Sequence, residues 1–96
     1  IFVFNDIAAA VVMKYLKERE IMIPDEIQII GFDNSFIGEL LHPSLTTIHQ
    51  PIKELGVLAV ELLIQLINQE EVDIKEYLIE TKLIQRETTK HRLTGE

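Results

Sequence analysis

Two short segments of the sequence place an amide and a carboxylate directly after a run of apolar residues. They are Phe4-Asn5-Asp6 and Gly31-Phe32-Asp33-Asn34. In an open α/β sheet a small molecule binds beyond the carboxyl ends of the strands, so polar side chains at those ends are the first candidates for contacts. The two segments therefore predict a site for a small ligand, with Asn5 and Asp33 as its principal contacts.

Each of these side chains also has a structural alternative. The Asp33 carboxylate can accept hydrogen bonds from two ligand donors, or it can cap the turn that follows it. The Asn5 amide offers a donor and an acceptor to a ligand, or its oxygen can cap the next helix. Asp6 is interpreted as a structural carboxylate in the first turn of that helix, where the helix dipole favours a negative charge.

The elements that position these residues follow from the apolar pattern. Ile1 to Phe4 is a continuous apolar run typical of a strand buried on both faces, and Ile27 to Ile30 is a second strand. A helix from Ile7 to Glu20 is predicted between them, which makes a βαβ unit. Its apolar face is predicted to contain Ile7, Ala10, Val11, Met13 and Leu16.

The second half of the chain continues the alternation of strands and helices. Residues 34 to 43 fit a short helical turn or an irregular loop, and Leu45 to Ile48 has strand character. A helix is predicted from Pro51 or Ile52 to Asn68, and it is so apolar that it needs cover on more than one side. Tyr77 to Ile84 is predicted as the final strand, and residues 91–96 as a tail.

Composition excludes several classes of function. Sixteen acidic and nine basic residues give a formal charge of −7, so the chain lacks the basic face that binds nucleic acid. It has no cysteine, which excludes disulfides and thiolate metal sites and fits a cytosolic protein. The longest apolar stretch is too short for a membrane span, and no secretory signal is present. Because the chain opens on a central strand, we interpret it as a fragment.

Neither a metal site nor an active site is indicated by the motifs. His42 and His49 are separated by a proline-containing loop, His91 lies in the tail, and no carboxylate pair has ligand spacing. The sequence also contains no Gly-x-Ser-x-Gly elbow, no phosphate-binding glycine loop and no cysteine nucleophile. We therefore expect no metal, no cofactor and no catalysis.

An ordered set of motifs runs through about residue 90. It comprises Phe4-Asn5-Asp6 with Ala8 and Ala9, Pro24-Asp25-Glu26-Ile27, Gly31-Phe32-Asp33-Asn34, Pro43-Ser44-Leu45-Thr46-Thr47-Ile48, Gln50-Pro51, Gly56 and Leu83-Ile84-Gln85-Arg86-Glu87-Thr88-Thr89. This set resembles the C-terminal part of the effector-binding core of the LacI/GalR family of bacterial transcription regulators. The sequence departs from the family pattern at Val11, Glu20 and Gln69, where glycine is common.

The resemblance implies a fold and a division into domains. The fold would be α/β, a fragment of a type I periplasmic-binding-protein-like core with parallel strands and flanking helices. Residues 1–90 would be a partial effector-binding and dimerisation core. Within it, residues 1–48 and 77–90 would belong to the C-terminal subdomain and residues 49–76 to the N-terminal subdomain.

The function implied by the resemblance is effector sensing in a LacI-type repressor. A small metabolite, a sugar or sugar-like molecule, would bind Asn5, Asp33 and Gln50, with Ile52 and Leu55 as an apolar wall. Gln50 could equally be a solvent-exposed amide, and Ile52 and Leu55 could be ordinary helix core. Operator DNA would be bound only by a helix-turn-helix upstream. The alternative is a periplasmic sugar-binding protein of the same fold.

A homodimer is also implied by the resemblance. The interface would use the first helix and the loop after the Gly-Phe-Asp-Asn segment, and its residues would be Ala9, Ala10, Met13, Leu40 and Leu41. These small and apolar side chains would allow close approach of a symmetric mate. Packing within the monomer is the alternative for the same residues.

Overall fold

The computed structural model describes residues 1–70 and 79–90. Its helices and strands are, in chain order, α1 (Asp6–Glu18), α2 (Ile37–Leu40), β1 (Thr47–His49), α3 (Ile52–Ile67) and β2 (Lys82–Ile84). The chain divides into two compact units. Unit 1 comprises Ile1–His49 with Lys82–Glu96, and unit 2 comprises Gln50–Thr81. The assignment of these segments to named subdomains stays a prediction.

Unit 1 is built on parallel pairing of three extended segments. Phe2 pairs with Ile30 and Ile30 pairs with Thr46, both in the parallel sense. Parallel neighbours require a crossover connection, and α1 supplies it between the first two segments. β1 then pairs with β2 in the antiparallel sense, with Ile48 opposite Leu83. The predicted α/β class with parallel strands is confirmed.

The core of unit 1 lies against one face of α1. Ala9, Met13 and Leu16 recur at helical spacing and are buried. Ile7 and Val11, which the apolar pattern assigned to this face, are each 65% exposed. Met13 and Leu16 were predicted correctly, but the buried face begins at the polar residue Asp6, so the apolar pattern wrongly included Ile7 and Val11. The full core cluster is Val3, Ala9, Met13, Leu16, Ile29 and Leu45.

A threonine after β2 joins the segments of unit 1 by hydrogen bonds. Thr88 is fully buried, its hydroxyl donates to the Ile29 carbonyl at 2.7 Å, and the same oxygen accepts from the Thr46 amide at 2.9 Å. The Ile29 amide in turn donates to the Thr88 carbonyl at 3.0 Å. Buried polar atoms are tolerated only when they are paired in this way. Thr88 is therefore part of the unit 1 interior.

Both long helices end in the same left-handed turn. After α1, the Glu20 amide donates to the Lys17 carbonyl and the Ile21 amide donates to the Leu16 carbonyl. After α3, Gln69 and Glu70 repeat this pair of bonds. It is the Schellman arrangement, and Glu20 and Gln69 adopt φ of 60° and 58° although neither is glycine.

Unit 2 consists, in its described part, mainly of α3. None of the sixteen residues of α3 is buried. Eight of its large apolar side chains are 40% to 68% exposed, and they are Ile52, Leu55, Val57, Val60, Leu63, Ile64, Leu66 and Ile67. A helix this apolar normally packs on two sides. Within the described residues, no helix has the length and apolar character needed to cross a membrane.

The predicted element boundaries are close to those observed in the described part. α3 spans Ile52–Ile67, within one residue of the predicted helix, and α2 selects the helical alternative for residues 34 to 43. The last strand is shorter than predicted and begins at Lys82. Residues 77 and 78 of that predicted strand, and the predicted tail at 91–96, lie outside the described residues.

Candidate functional site

Three polar residues form a row at the carboxyl ends of the parallel segments. Asn5, Asp33 and His49 each follow by three residues one of the paired positions Phe2, Ile30 and Thr46. Asp33 and His49 are themselves paired across a parallel bridge. Because parallel segments in register end at the same edge of the sheet, these residues share one edge of unit 1.

Asn5 is the N-cap of α1. Its backbone is extended, and its side-chain oxygen accepts a hydrogen bond from the Ala8 amide at 2.7 Å. The capping alternative is therefore present in the structure. It uses only the amide oxygen, and no hydrogen bond from Asn5 Nδ2 is found within residues 1–70 and 79–90. The NH₂ group can still donate to a ligand oxygen.

Asp33 lies on a backbone that L-residues rarely adopt. Its φ is 107°, and the next residue, Asn34, has φ 55°. Two consecutive non-glycine residues at positive φ are costly, and such backbone strain concentrates at binding sites. The turn is held by the Asp33 amide, which donates to the Ile48 carbonyl at 2.9 Å, and by the Asn34 amide, which donates to Thr47 Oγ1 at 3.2 Å.

The side chain of Asn34 connects two segments of unit 1. Arg86 Nη2 donates to Asn34 Oδ1 at 2.9 Å, and Asn34 Nδ2 lies 3.2 Å from His49 Nδ1. A guanidinium can only donate, so the amide oxygen must face Arg86 and the NH₂ group must face the histidine. In this arrangement His49 Nδ1 is the acceptor of the bond from Asn34 Nδ2.

Beneath the turn lies the buried carboxylate of Asp6. This residue is 1% exposed and accepts from the Ser35 amide at 2.7 Å, from the Ser35 hydroxyl at 3.3 Å and from the Thr47 hydroxyl at 2.7 Å. A Cβ added to Gly31 would lie 2.3 Å from Asp6 Oδ1, so only glycine fits there. Asp6 is structural, as predicted, but through contacts with the loop and β1 as well as through its place in the helix.

The other predicted ligand contacts fall in unit 2. Gln50 is partly buried, and its carbonyl accepts from the Ile52 amide at 2.8 Å. Ile52 is 62% exposed and Leu55 is 40% exposed in the first turns of α3. Neither side chain is buried by the described residues. Their contact with a ligand stays a prediction.

Burial divides the predicted dimer-interface residues into two groups. Ala9 and Met13 are 0% and 2% exposed and belong to the core cluster of unit 1, which corrects their assignment to an interface. They occupy the face of α1 that packs inward. Ala10 and Leu41 are partly buried and Leu40 is 72% exposed, so an interface built on these three stays a prediction.

Histidine and carboxylate residues do not cluster for metal binding in the described part of the chain. No group of three or more potential ligands is found there. His49 is instead paired with Asn34, and His91 is outside the described residues. The edge of unit 1 therefore offers hydrogen-bonding groups, the chemistry that recognises a polar organic ligand.

The family model for the periplasmic binding protein-like domain matches residues 1–89. The chain belongs to this family. Its resemblance to the LacI/GalR regulators is confirmed by the ribose operon repressor of Halalkalibacterium halodurans, which is 47% identical over 90 residues. That match covers 94% of this chain and 27% of the repressor. The LacI-type chain thus spans about a quarter of the length of this relative.

Two solved structures of LacI-type regulators are similar to the chain. One is the periplasmic binding protein/LacI transcriptional regulator from Alkaliphilus metalliredigens complexed with D-xylulofuranose. It is 67% identical with a TM-score of 0.85, and the match covers 93% of this chain and 34% of that one. The other is the LacI family regulator from Enterococcus faecium with bound ribose. It is 36% identical with a TM-score of 0.81, and the match covers 92% of this chain and 33% of that one. These relatives are regulators and not enzymes, in agreement with the expectation of no catalysis.

Sequence reasoning missed three residues that form this edge. His49 was considered only as a metal ligand, although it directly follows the predicted strand Leu45 to Ile48. Asn34 was quoted in a motif without a role, and its tolerance of positive φ was the available signal. Arg86 gave no local signal, because its partners lie more than forty residues away in sequence.

Proposed function

We propose that this chain is the effector-sensing part of a LacI-type transcriptional repressor that binds a sugar or sugar-like metabolite. The observation that supports this most directly is the row of Asn5, Asp33 and His49 at one edge of the parallel segments. A carboxylate and an amide at such an edge match the adjacent hydroxyl groups of a sugar, which both donate and accept. Similar LacI-type structures contain D-xylulofuranose and ribose.

In the proposed mechanism the effector shifts the population of two subdomain arrangements. Asn5 and Asp33 would bind the metabolite, and Gln50, Ile52 and Leu55 are proposed as further contacts. A ligand that contacts both subdomains favours the closed arrangement by the free energy of those contacts. Because the two arrangements would bind operator DNA with different affinities, effector binding would change the affinity of the regulator for operator DNA.

Assembly and DNA binding belong to the longer protein. We propose a homodimer whose interface includes Ala10, Leu40 and Leu41. Operator DNA would be bound by a helix-turn-helix outside this chain, since the chain itself carries a formal charge of −7. A regulator of this kind acts in the cytoplasm.

Asp33→Asn in the full-length regulator tests the ligand contact. Asparagine keeps the shape and tolerates positive φ, but its NH₂ group cannot accept a hydrogen bond. Loss of a charge-assisted hydrogen bond should raise the Kd for D-ribose or D-xylulose roughly tenfold to hundredfold in calorimetric titrations.

The matched control is Asp25→Asn, an exposed aspartate in the turn after α1. It should leave the sugar Kd unchanged, and both variants should bind operator DNA as the parent does when sugar is absent. An unchanged sugar Kd in Asp33→Asn would refute the role of Asp33.

A periplasmic sugar-binding protein of the same fold is the second candidate, because the matching family is named for such proteins. Similarity to the ribose operon repressor favours the regulator. The coding sequence upstream of Ile1 separates the two. A helix-turn-helix segment there supports the regulator, and a signal peptide supports the solute-binding protein.

A further inference from the structure

Arg86 occupies a nearly enclosed position behind the Asp33 turn. Its side chain is 15% exposed, and its two terminal nitrogens serve different acceptors. Nη1 donates to the Leu45 carbonyl at 2.9 Å and Nη2 donates to Asn34 Oδ1 at 2.9 Å. The planar fork of arginine makes both bonds at once, which a lysine ammonium on one flexible stem does not reproduce.

The surroundings of the guanidinium are shaped to hold it. A Cβ on Gly38 would lie 2.9 Å from Arg86 Nη1, so the absence of a side chain there leaves room for the fork. The Arg86 amide donates to Thr46 Oγ1 at 2.8 Å, which anchors the residue at its backbone as well. Glu39 lies 3.6 Å from Nη2 but is 73% exposed, and an exposed ion pair of this kind contributes little.

Through Asn34 the guanidinium acts on the conformation of the turn. Asn34 has φ 55° and directly follows Asp33, whose φ is 107°. Its side chain is fixed on one side by Arg86 and on the other by His49. Without these two bonds the turn could relax toward ordinary φ values, and the Asp33 carboxylate would move with it.

We propose that Arg86 is a positioning residue for effector binding, which holds the left-handed Asp33–Asn34 turn through the side chain of Asn34. The inference rests on the proposed role of Asp33 as a sugar contact. A ligand contact is effective only when its supporting groups hold it close to the productive geometry. Arg86 touches no ligand in this assignment and acts only through Asn34.

Two variants of the full-length regulator separate the side-chain bonds from the backbone conformation. Arg86→Lys keeps the charge but loses the fork. Asn34→Gly removes the bonds to Arg86 and His49 while accepting φ 55° without strain, so it is the variant that keeps the fold. Arg19→Lys is the matched control, since Arg19 is exposed at the end of α1 and stacks on Tyr15.

Calorimetric titration with D-ribose and D-xylulose gives the first readout. Arg86→Lys and Asn34→Gly should each raise the Kd roughly tenfold or more, and Arg19→Lys should not change it. In a protein that already carries Asp33→Asn, titrated to millimolar sugar, Arg86→Lys should raise the Kd further by less than about a factor of two. The reason is that Arg86 and Asp33 act through one ligand contact. An unchanged Kd, or effects that simply add, would overturn the proposal.

Hydrogen exchange of the ligand-free regulator gives the second readout and does not depend on the sugar. Asn34→Gly and Arg86→Lys should each speed exchange at the Asp33, Asn34 and Ser35 amides at least severalfold, with exchange in α1 unchanged. Unchanged exchange at these amides would overturn the positioning role. If the parent protein binds neither sugar, the proposed ligand class fails, and the exchange rates still decide whether Arg86 and Asn34 hold the turn.

Discussion

The helices α1 and α3 resemble each other locally and differ in what surrounds them. Both end in the same Schellman turn with a non-glycine residue at positive φ. α1 is the less apolar helix, yet it buries Asp6, Ala9, Met13 and Leu16, whereas α3 buries none of its residues. An apolar helix surface therefore indicates only that the helix packs against something. Which of its residues are buried depends on the segments that pack against it.

The two units also differ in how their polar groups are hydrogen-bonded. The interior of unit 1 contains Asp6, Thr46, Thr47 and Thr88, and each of them is hydrogen-bonded. α3 begins after Pro51 without a side-chain cap. Paired polar groups in an interior require specific geometry, so they fix segments of chain more precisely than apolar contacts do.

The largest expected effect comes from truncating a leucine in each helix of the 96-residue chain. Leu16 is 6% exposed and Leu63 is 56% exposed. Leu16→Ala should lower the free energy of unfolding by about 4 kcal/mol, through lost burial and the cavity left behind. Leu63→Ala should lower it by less than about 0.5 kcal/mol. Urea titration measures both.

The same two leucine substitutions in the full-length regulator test whether α3 is covered there. There, Leu63→Ala should approach the cost of Leu16→Ala, because the remaining protein is expected to cover α3. Equal costs for the two substitutions in the 96-residue chain would break the comparison, since they would show that α3 is already packed.

The next effect concerns the buried carboxylate of unit 1. Asp6→Asn places an NH₂ group opposite the Ser35 or Thr47 donors and should cost about 2 kcal/mol of unfolding free energy. The same change at exposed Asp25 should stay within about 0.5 kcal/mol. A cost at Asp6 no greater than that at Asp25 would mean that the polar interior does not stabilise unit 1.

The shared helix end allows a smaller and symmetric test. Glu20→Gly and Gln69→Gly should each raise the free energy of unfolding by about 0.5 kcal/mol, because glycine accepts positive φ without strain although it costs more chain entropy. Glu18→Gly, within the last turn of α1, should instead lower it by about 1 kcal/mol. If only Glu20→Gly stabilises, the two helix ends are not equivalent in solution.

The smallest effect is a pH dependence at the surface of unit 1. The Ser44 amide and hydroxyl each donate to Glu87 Oε1 at 3.0 Å, and these bonds lower the pKa of Glu87 from its ordinary value of 4.5. A carboxylate with a depressed folded-state pKa stabilises the fold above pH 4.5 and loses that contribution as the pH falls through its folded-state value.

Glu87→Gln should therefore lower the urea midpoint at neutral pH and have no effect at low pH. Glu80→Gln, at an exposed carboxylate of unit 2, is the matched control. The same shift at both pH values for Glu87→Gln would exclude a charge-dependent contribution from this contact.

The positions of many helices and strands could be predicted from the local sequence. The helix from Ile52 was predicted within one residue at each end, because proline at its start and the long apolar run are local signals. At Glu20 and Gln69, where the family pattern has glycine, the sequence left the conformation of the turn open, and both residues adopt positive φ. The inward face of α1 was predicted only in part. Its first buried residue is the charged Asp6, whose burial depends on Ser35 and Thr47 elsewhere in the chain.

Some residues of the candidate site were predicted from the sequence, and others were identified only in the structure. Asn5 and Asp33 were found from sequence because a polar residue after an apolar strand is a local pattern, and the family motifs contain both. Arg86 and its bond to Asn34 were not found, since the two residues are separated by 52 positions and no periodic pattern links them.

By itself, then, the sequence determined the α/β class, the family, the order of helices and strands and the two strand-end residues, all of which follow from short-range propensity, periodicity and motif order. Only the tertiary structure decided that Asp6 and Thr88 are interior, that Ala9 and Met13 serve the core, and that Arg86 reaches the Asp33 turn. The physical reason is that hydrogen bonding between distant segments depends on where the folded chain places each donor and acceptor.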